Sequence, residues 1–241
     1  ANLGIEFIQP IKEHGLPPKL KYITVHQGLL VGTGNRQSPN TTYYSDIDSP
    51  EYFPAGDNAF DVETLDGSVN TGIAPLGNSL FVFKKRSVHQ IVGNLADDVF
   101  RVDLFGNARI GCDAHATIQE VNGFLMFLSE NGIYALNQNE QSLEEVSEPI
   151  SPLLEISNTQ FTNKKAVAIN WINRDKYVIF MPVESNDAAS SSSLTFAYDY
   201  DRQAWLKWDN INMMGGAALF QNRLHKTERR LSGLVREYTY R

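Results

Sequence analysis

Short apolar runs separated by turn residues mark the chain, and the clearest example lies between residues 111 and 138. Residues 124–128 (FLMFL) are consecutive apolar residues, a length typical of a strand, and residues 133–136 (IYAL) form a second run. Asn122-Gly123 precedes the first run and favours a tight hairpin, because both central residues of that turn need positive φ. Residues 130–132 (ENG) turn the chain again. An unbroken apolar run predicts a strand that is covered on both faces, as in a stack of sheets.

This unit recurs along the sequence at a spacing of about 45–50 residues, which is typical of β-propeller blades, each a small antiparallel sheet. The residues that follow the first turn of each copy are Leu29, Leu80, Phe124, Tyr177 and Leu224. The strands predicted outside the central copy are residues 22–25, 29–32, 42–45, 72–76, 80–83, 88–93, 166–169, 177–180, 194–198, 216–220 and 234–238. The sequence therefore predicts an all-β fold, a β-propeller of about five or more small antiparallel blades. An incomplete N-terminus could hide a further blade, which leaves the blade number open.

The segments outside these strands are assigned from proline residues, which interrupt regular structure, and from one short stretch with a helical pattern. Two adjacent prolines interrupt any regular element near the start, so residues 1–20 are assigned as a leading segment and residues 21–241 as the propeller domain. Residues 151–159 could form a short helix. Trp205 and Trp208 are expected to close the fourth copy on an outer strand.

Composition narrows the class of protein. The 241 residues are 42% hydrophobic and 11% aromatic, which is enough for a sizeable core. The net charge of −7 disfavours broad, nonspecific nucleic-acid binding, because phosphate contacts need clustered Lys and Arg. The sequence shows no signal peptide and no apolar run near the roughly 20 residues that span a bilayer, so we expect a chain that folds in the cytosol. The first residue is not Met, which indicates a processed chain or a fragment.

Several phrases follow one another in a characteristic order. They are YYSD with SPEYFP (43–46 and 49–54), LFVFK with SVHQIVG (80–84 and 87–93), GC, NG and FLSENGIY (111–112, 122–123 and 127–134), SEPI (147–150), and AW followed by Trp208 (204–205). In order and spacing they resemble the β-propeller tail proteins of tailed bacteriophages, of the tubular, nozzle or hub type in short tails. The resemblance covers the chain from about Tyr22 to its end.

The resemblance implies a non-enzymatic structural protein of the virion. It would lie in the tail near the head-to-tail connector, as a homo-oligomeric ring around the DNA exit channel, and assemble in the host cytoplasm. The implied partners are other tail or connector proteins and, transiently, phage DNA, with no membrane and no cofactor. Exposed aromatic residues would anchor the subunit contacts, unless they are buried within the blades. The candidates are Tyr43, Tyr52, Phe53, Trp205 and Trp208.

Two basic clusters are the candidate contact sites for a subunit or for DNA. Their residues are Lys84, Lys85 and Arg86 in the first and Arg223, Lys226, Arg229 and Arg230 in the second. We place both clusters on hairpin turns, where charge is exposed to water, and the simpler interpretation is a solvated tip. The functional interpretation is contact with an acidic neighbouring subunit or with passing DNA.

Histidine and cysteine residues show no pattern of a reactive site. The histidines have no metal-ligand spacing, and we assign them structural roles, with His26 in a turn and His89 on a strand. The full set of histidines is His14, His26, His89, His115 and His225. Cys112 is the only cysteine, which excludes an intrachain disulfide, and we interpret it as a small buried thiol.

Acidic residues in two loops offer a weak calcium hypothesis. Asp46, Asp48 and Glu51 carry oxygen ligands at nearby positions, but the EF-hand order and its central Gly are missing. Asp side chains also cap turns by accepting hydrogen bonds from nearby N–H groups, and this is the simpler interpretation. The same alternatives apply to Asp199 and Asp201.

Catalytic motifs do not stand out, and we predict no catalytic, cofactor-binding or metal-binding residues. The sequence has no Gly-rich phosphate loop and no GxSxG elbow. Residues 129–132 (SENG) faintly resemble the Asp-box turn of sialidase propellers, without its Asp and Trp. Many carboxylates are present, so the sequence does not exclude a pair of catalytic carboxylates like that of a glycosidase. The alternative function is therefore a carbohydrate-binding or glycan-cleaving propeller that acts on a host surface. A cellular scaffold propeller that binds peptides is a third option, which the phage-like phrase order disfavours.

Overall fold

The strands form consecutive antiparallel sheets, each built from strands that neighbour one another in chain order. The computed structural model describes residues 17–54, 57–62, 67–106, 109–112, 114–158, 165–183, 192–209, 217–220, 223–229 and 235–240. Within these ranges there are four sheets of four strands and a last sheet of three. We number the sheets blades 1 to 5 in chain order.

The strand bounds of the first three blades are as follows. Blade 1 contains β1 (Tyr22–His26), β2 (Leu29–Thr33), β3 (Thr41–Tyr44) and β4 (Ala59–Asp61). Blade 2 contains β5 (Asn70–Leu76), β6 (Ser79–Lys84), β7 (Val88–Asn94) and β8 (Val99–Phe105). Blade 3 contains β9 (Gln119–Val121), β10 (Phe124–Leu128), β11 (Ile133–Asn137) and β12 (Ser142–Glu145).

The last two blades lie beyond the longest helical segment of the described chain. Blade 4 contains β13 (Val167–Trp171), β14 (Lys176–Val183), β15 (Ser192–Asp199) and β16 (Ala204–Trp208). Blade 5 contains β17 (Ala217–Phe220), β18 (Arg223–Arg229) and β19 (Val235–Tyr240). The predicted short helix is confirmed as α1 (Ser151–Asn158), which precedes blade 4. No helix within the described ranges is long and apolar enough to cross a membrane.

Apolar clusters fill the space between successive blades. One joins Val31 of blade 1 to Val82 of blade 2, and the next joins Phe83 of blade 2 to Phe127 of blade 3. A third lies between blades 3 and 4, and a fourth joins Val178 of blade 4 to Leu224 of blade 5. Each blade therefore depends on its neighbours to remove its apolar faces from water, as expected for stacked repeats.

The first strands of neighbouring blades lie close together: β1 contacts β5, β9 contacts β13, and β13 contacts β17. A 3-10 turn at His115–Thr117 contacts both β5 and β13, and so fills the space beside the short strand β9. This radial order, with the first strand of each sheet inward, is that of a β-propeller. In the described part of the chain the blades do not close into a ring.

The apolar run of β10 is covered on both sides, which confirms the prediction from its sequence. Leu125 and Phe127 belong to the cluster shared with blade 2, whereas Met126 and Leu128 belong to the cluster shared with blade 4. Phe124 is only half-buried, so the expectation of complete cover is wrong at the first residue of the run. The reason is its position next to the exposed hairpin turn.

Turn geometry follows the sequence closely. Asn122 and Gly123 have φ of 50° and 84°, as the Asn-Gly hairpin requires. Gln27 and Gly28 form a similar turn with φ of 52° and 78°. His26, which we expected in that turn, is instead the buried last residue of β1, because the two-residue turn begins after it.

The residues that define the repeat occupy equivalent positions. Leu29, Leu80, Phe124, Tyr177 and Leu224 all lie on the second strand of their blade. Trp205 and Trp208 lie on the fourth strand of blade 4, as expected. Three outer strands, β4, β8 and β12, were not predicted.

Candidate functional site

Lys84 is the first of the predicted contact residues, and its predicted exposure is wrong. It is the last residue of β6 and its side chain is fully buried. Its Nζ donates to Asn40 Oδ1 at 3.1 Å and to the main-chain oxygen of Ser68 at 2.6 Å. Strand β6 extends one residue further than its apolar run, so this ammonium lies against polar atoms of the preceding loops. Lys84 therefore stabilises the junction of blades 1 and 2.

Lys85 and Arg86 form the exposed tip of the same hairpin. Lys85 Nζ lies 3.7 Å from Glu130 Oε1, and Arg86 Nε lies 3.5 Å from Glu130 Oε2. Glu130 belongs to the turn between β10 and β11, so the two cations face an acidic residue of blade 3. These side chains are about half exposed or more, and such pairs contribute at most about 1 kcal/mol. The first basic cluster is thus partly neutralised within the chain.

Three residues of the second basic cluster lie on a strand and not on a turn, contrary to the prediction. Arg223, Lys226 and Arg229 are part of β18, whose main chain pairs with β17 on one side and β19 on the other. Strand pairing uses main-chain groups, so charged side chains do not prevent it. Arg223 is exposed. Arg230 and the side chains of Lys226 and Arg229 lie outside the described residues, and their contact role stays a prediction.

The buried histidines and the cysteine have packing roles. Cys112 is fully buried, which confirms the interpretation as a buried thiol. His89 lies on β7, and its Nε2 is 3.2 Å from Ser87 Oγ. Burial lowers the pKa of His26. His115 packs against the Tyr22 ring at 4.6 Å between centroids, and burial together with the nearby charge of Lys21 lowers its pKa. His14 and the His225 side chain lie outside the described residues.

One carboxylate in each acidic loop accepts a hydrogen bond from a nearby main-chain N–H. Asp46 Oδ1 accepts a hydrogen bond from the main-chain N–H of Ile47 at 3.0 Å. Asp199 accepts one from Lys176 Nζ at 2.6 Å and another from the N–H of Arg202 at 3.0 Å. These hydrogen bonds, first that from Lys176, lower the pKa of Asp199. Across the described ranges, no three His, Cys, Asp or Glu side chains come together as a metal site would require.

The aromatic residues proposed as anchors are all half-buried. Trp205 Nε1 donates to the main-chain oxygen of Val146 at 2.6 Å, and its ring packs on Tyr198 at 5.0 Å. Trp208 contacts Trp171 edge to face at 6.5 Å. Both tryptophans therefore stabilise the blades. Tyr43, Tyr52 and Phe53 lie on or beside blade 1.

Blade 1 exposes an apolar face. Ile23 and Val25 on β1 are 60% and 64% exposed. Ile23 pairs with Gly32, which pairs with Tyr43, and Val25 pairs with Leu30, so these residues share one side of the sheet. The opposite side of blade 1 packs on blade 2. This surface, the open face, is the one that a further stacked sheet would cover.

A polar groove between blades 2 and 3 was not indicated by any sequence pattern. Its volume is about 1030 Å³, and its lining includes the side-chain amides of Gln27, Asn78, Gln90, Gln138, Asn139 and Gln141. We call it the amide groove. Ser79 Oγ, on β6, accepts hydrogen bonds from Gln90 Nε2 and from Gln138 Nε2, each at 2.9 Å. Gln27 and Gln141, which are 114 positions apart in the chain, both line the groove, and only the tertiary structure brings them together.

A solved β-propeller shares this architecture. The chain matches the structure of the Dos1 propeller with a TM-score of 0.55 and 11% identity, over 92% of this chain and 61% of that one. It matches the N-terminal domain of Nup159 with a TM-score of 0.44 and 9% identity, over 94% of this chain and 74% of that one. The sequence matches no protein-family model and no curated protein.

The likeness to the Dos1 propeller decides the fold. This chain is a β-propeller. It spans about 61% of the length of the Dos1 propeller. The tail resemblance rests on the sequence phrases alone.

Proposed function

We propose that the chain is a non-enzymatic structural protein of a phage tail, in the nozzle, hub or head-to-tail region around the DNA exit channel. Its partners would be other copies of itself in a ring and other tail or connector proteins, with transient contact with DNA. The protein would act through geometry, because stacked sheets hold their loops and edges in fixed positions. The proposed place in a phage tail rests on the order of the sequence phrases.

The open face is the structural observation that carries the assembly role. Exposed apolar side chains grouped on one side of a sheet mark an interaction surface in soluble proteins. In a propeller, such a face is covered by another sheet, as the faces between blades 1 to 5 are. A sheet from a neighbouring subunit would supply that cover.

Several phrases that carry the resemblance lie in hydrogen-bonded connections before and after strands. Gly111 and Cys112 pass under the hairpin of blade 2, where the N–H of Cys112 donates to the Lys84 oxygen at 2.9 Å. Ser147 Oγ accepts from the N–H of Ile133 at 2.9 Å, and Trp205 bonds to Val146. These phrases therefore have structural roles in this chain, and their order along the sequence supports the proposed place in a tail.

Assembly of the purified chain tests the structural role. Electron microscopy should show a ring with an axial channel, and light scattering should give a mass of several chains. The double substitution Ile23→Lys and Val25→Lys should abolish assembly and leave circular dichroism unchanged. Val99→Lys, at a residue that is 69% exposed on blade 2, is the matched control and should assemble normally. A monomer at all concentrations would contradict the ring.

Two further measurements address the tail and the second basic cluster. Antibodies against the chain should label the tails of purified virions, and unlabelled particles would contradict the tail assignment. Charge reversal of Arg229 and Arg230 to Glu should weaken assembly in a salt-dependent way. Normal assembly of that variant at low salt would show that the second basic cluster takes no part in the subunit contact.

The alternative function, a carbohydrate-binding or glycan-cleaving propeller that acts on a host surface, is favoured by a different feature. The amide groove is polar, lies between blades 2 and 3, whereas the open face lies on blade 1, and offers hydrogen-bonding groups of a kind that sugars use. Carbohydrate binding is compatible with the structural role, because binding would use the amide groove and assembly would use the open face.

A further inference from the structure

We propose that the amide groove binds a neutral oligosaccharide. A side-chain amide offers two donor hydrogens and a carbonyl acceptor, and a sugar hydroxyl likewise donates and accepts. Several amides around one groove therefore match the many hydroxyls of a sugar chain. The volume of about 1030 Å³ is at the upper end of ligand sites, and suits several sugar units better than a single one.

The charge of the groove favours an uncharged ligand. Among the described residues that line it, the charged ones are Arg101 and Asp103 on β8. Arg101 Nε lies 2.5 Å from Asp103 Oδ2, so the two charges neutralise each other. The guanidinium retains other donors and the carboxylate another acceptor, and both can bond to hydroxyls. An anionic or cationic ligand would meet no unpaired opposite charge.

Three amides of the groove, those of Gln27, Gln90 and Gln138, are held in place before any ligand binds. Ser79 and Gln90 are buried, and Ser79 Oγ fixes both Gln90 and Gln138 through their Nε2 atoms. Gln27 Nε2 donates to the oxygen of Gly93 at 2.9 Å, and its Oε1 accepts from the N–H of Leu95 at 3.2 Å. Fixed polar groups reduce the entropy that binding must overcome.

The rim amides are available for a ligand. Asn78, Asn139 and Gln141 are exposed on the hairpin turns of blades 2 and 3, and their side chains make no hydrogen bond within the described part of the chain. Three apolar side chains line the groove, Val92, Leu104 and Phe105, of which Phe105 is buried and Leu104 is 50% exposed. Peptide recognition usually needs apolar pockets for side chains, so the lining favours a sugar over a peptide.

Binding to defined neutral oligosaccharides tests the proposal. Maltohexaose, cellohexaose, chitohexaose and mannohexaose are titrated into the purified chain and followed by calorimetry and by amide NMR. At least one should bind and shift the side-chain amide signals. Asn78→Ala and Asn139→Ala should each weaken binding by roughly threefold to tenfold, and Gln138→Ala by at least as much.

A matched control tests whether the loss of an exposed amide outside the groove also changes the affinity. Gln37 is exposed on the loop between β2 and β3, outside the lining, and Gln37→Ala should leave the affinity unchanged. Circular dichroism of every variant should equal that of the parent, which excludes unfolding as the cause. Absence of binding to all four sugars at millimolar concentration would overturn the proposal, as would equal affinity in the groove variants. Binding only of extended peptides or of charged glycans would also overturn it.

Discussion

The hydroxyl of Tyr177 on β14 donates a hydrogen bond of 2.9 Å to the main-chain oxygen of Thr117, which lies 60 residues earlier in the chain. Tyr177 is fully buried, and burial raises the pKa of its phenol well above the ordinary value. The same Thr117 accepts a bond on Oγ1 from the N–H of Leu128 at 3.0 Å. One threonine therefore joins the turn before blade 3, the strand β10 and blade 4.

Removing this hydroxyl tests the junction. Tyr177→Phe should lower the free energy of unfolding by about 1–3 kcal/mol, because the buried oxygen of Thr117 loses its partner while the ring volume is retained. Urea unfolding followed by fluorescence measures the change. Tyr43→Phe, at a half-buried residue on β3, should change stability by less. Equal effects of the two substitutions would show that the Thr117 contact contributes nothing.

The two phenylalanines of β10 should differ in their contribution. Phe127→Ala should cost about 3–5 kcal/mol, because Phe127 is fully buried between the rings of Phe83 and Tyr134, at 5.0 and 6.2 Å. Phe124→Ala should cost clearly less, since Phe124 is half-buried beside the turn. Thermal melting ranks the variants. A smaller loss for Phe127→Ala than for Phe124→Ala would refute the packing of blades 2 and 3 described above.

Gly111 has no room for a side chain. A Cβ there would overlap the main-chain oxygen of Lys84 and lie 2.6 Å from the nitrogen of Ser87. Gly111→Ala should therefore destabilise the protein by about 1–3 kcal/mol. Hydrogen exchange at the amide of Cys112, which bonds to Lys84, should accelerate.

Gly28→Ala is the control for this substitution. Gly28 has φ of 78° and open space around it, so Ala is strained there but meets no neighbouring atom. This variant should lose about 1–2 kcal/mol and leave the local exchange of Cys112 unchanged. If the Cys112 amide exchanges as slowly in Gly111→Ala as in the parent, the predicted steric clash at residue 111 is wrong.

Asp199 should make stability depend on pH in the acidic range. Its pKa is lowered in the folded state, first by the hydrogen bond from Lys176, so the folded state favours the carboxylate. The resulting stability is present above the ordinary carboxyl pKa and is lost as the pH falls through the lowered, folded-state pKa. Asp199→Asn should lower the melting temperature at neutral pH, and the difference from the parent should shrink in acid. The exposed Asp201→Asn serves as control, and an equal pH profile for both would contradict the assignment.

Much of the fold was predictable because the inner strands are covered on both faces. Unbroken apolar runs and paired turn residues identify β6 and β10, and their equivalent positions reveal the repeat. The outer strands β4, β8 and β12 were missed because each is largely half-buried or exposed and mixes charged with apolar residues. A strand at a blade edge is decided by pairing with its neighbour, which leaves a weak local signal.

The candidate site was less predictable. Lys84 looked like part of an exposed basic tip, yet its burial depends on Asn40 and Ser68, which are distant in sequence. No pattern pointed to the amide groove, since a single Gln or Asn in a turn is ordinary.

The sequence by itself determined that the chain consists of repeated antiparallel units, because apolar runs and Asn-Gly turns act over a few residues. The tertiary structure decided which charges are buried, which faces remain open and which amides share a groove. These properties depend on contacts between blades, and the residues that meet there are separated by tens of positions. Local sequence patterns do not specify these contacts. The burial of charges and the composition of the groove are therefore set only when the blades pack together.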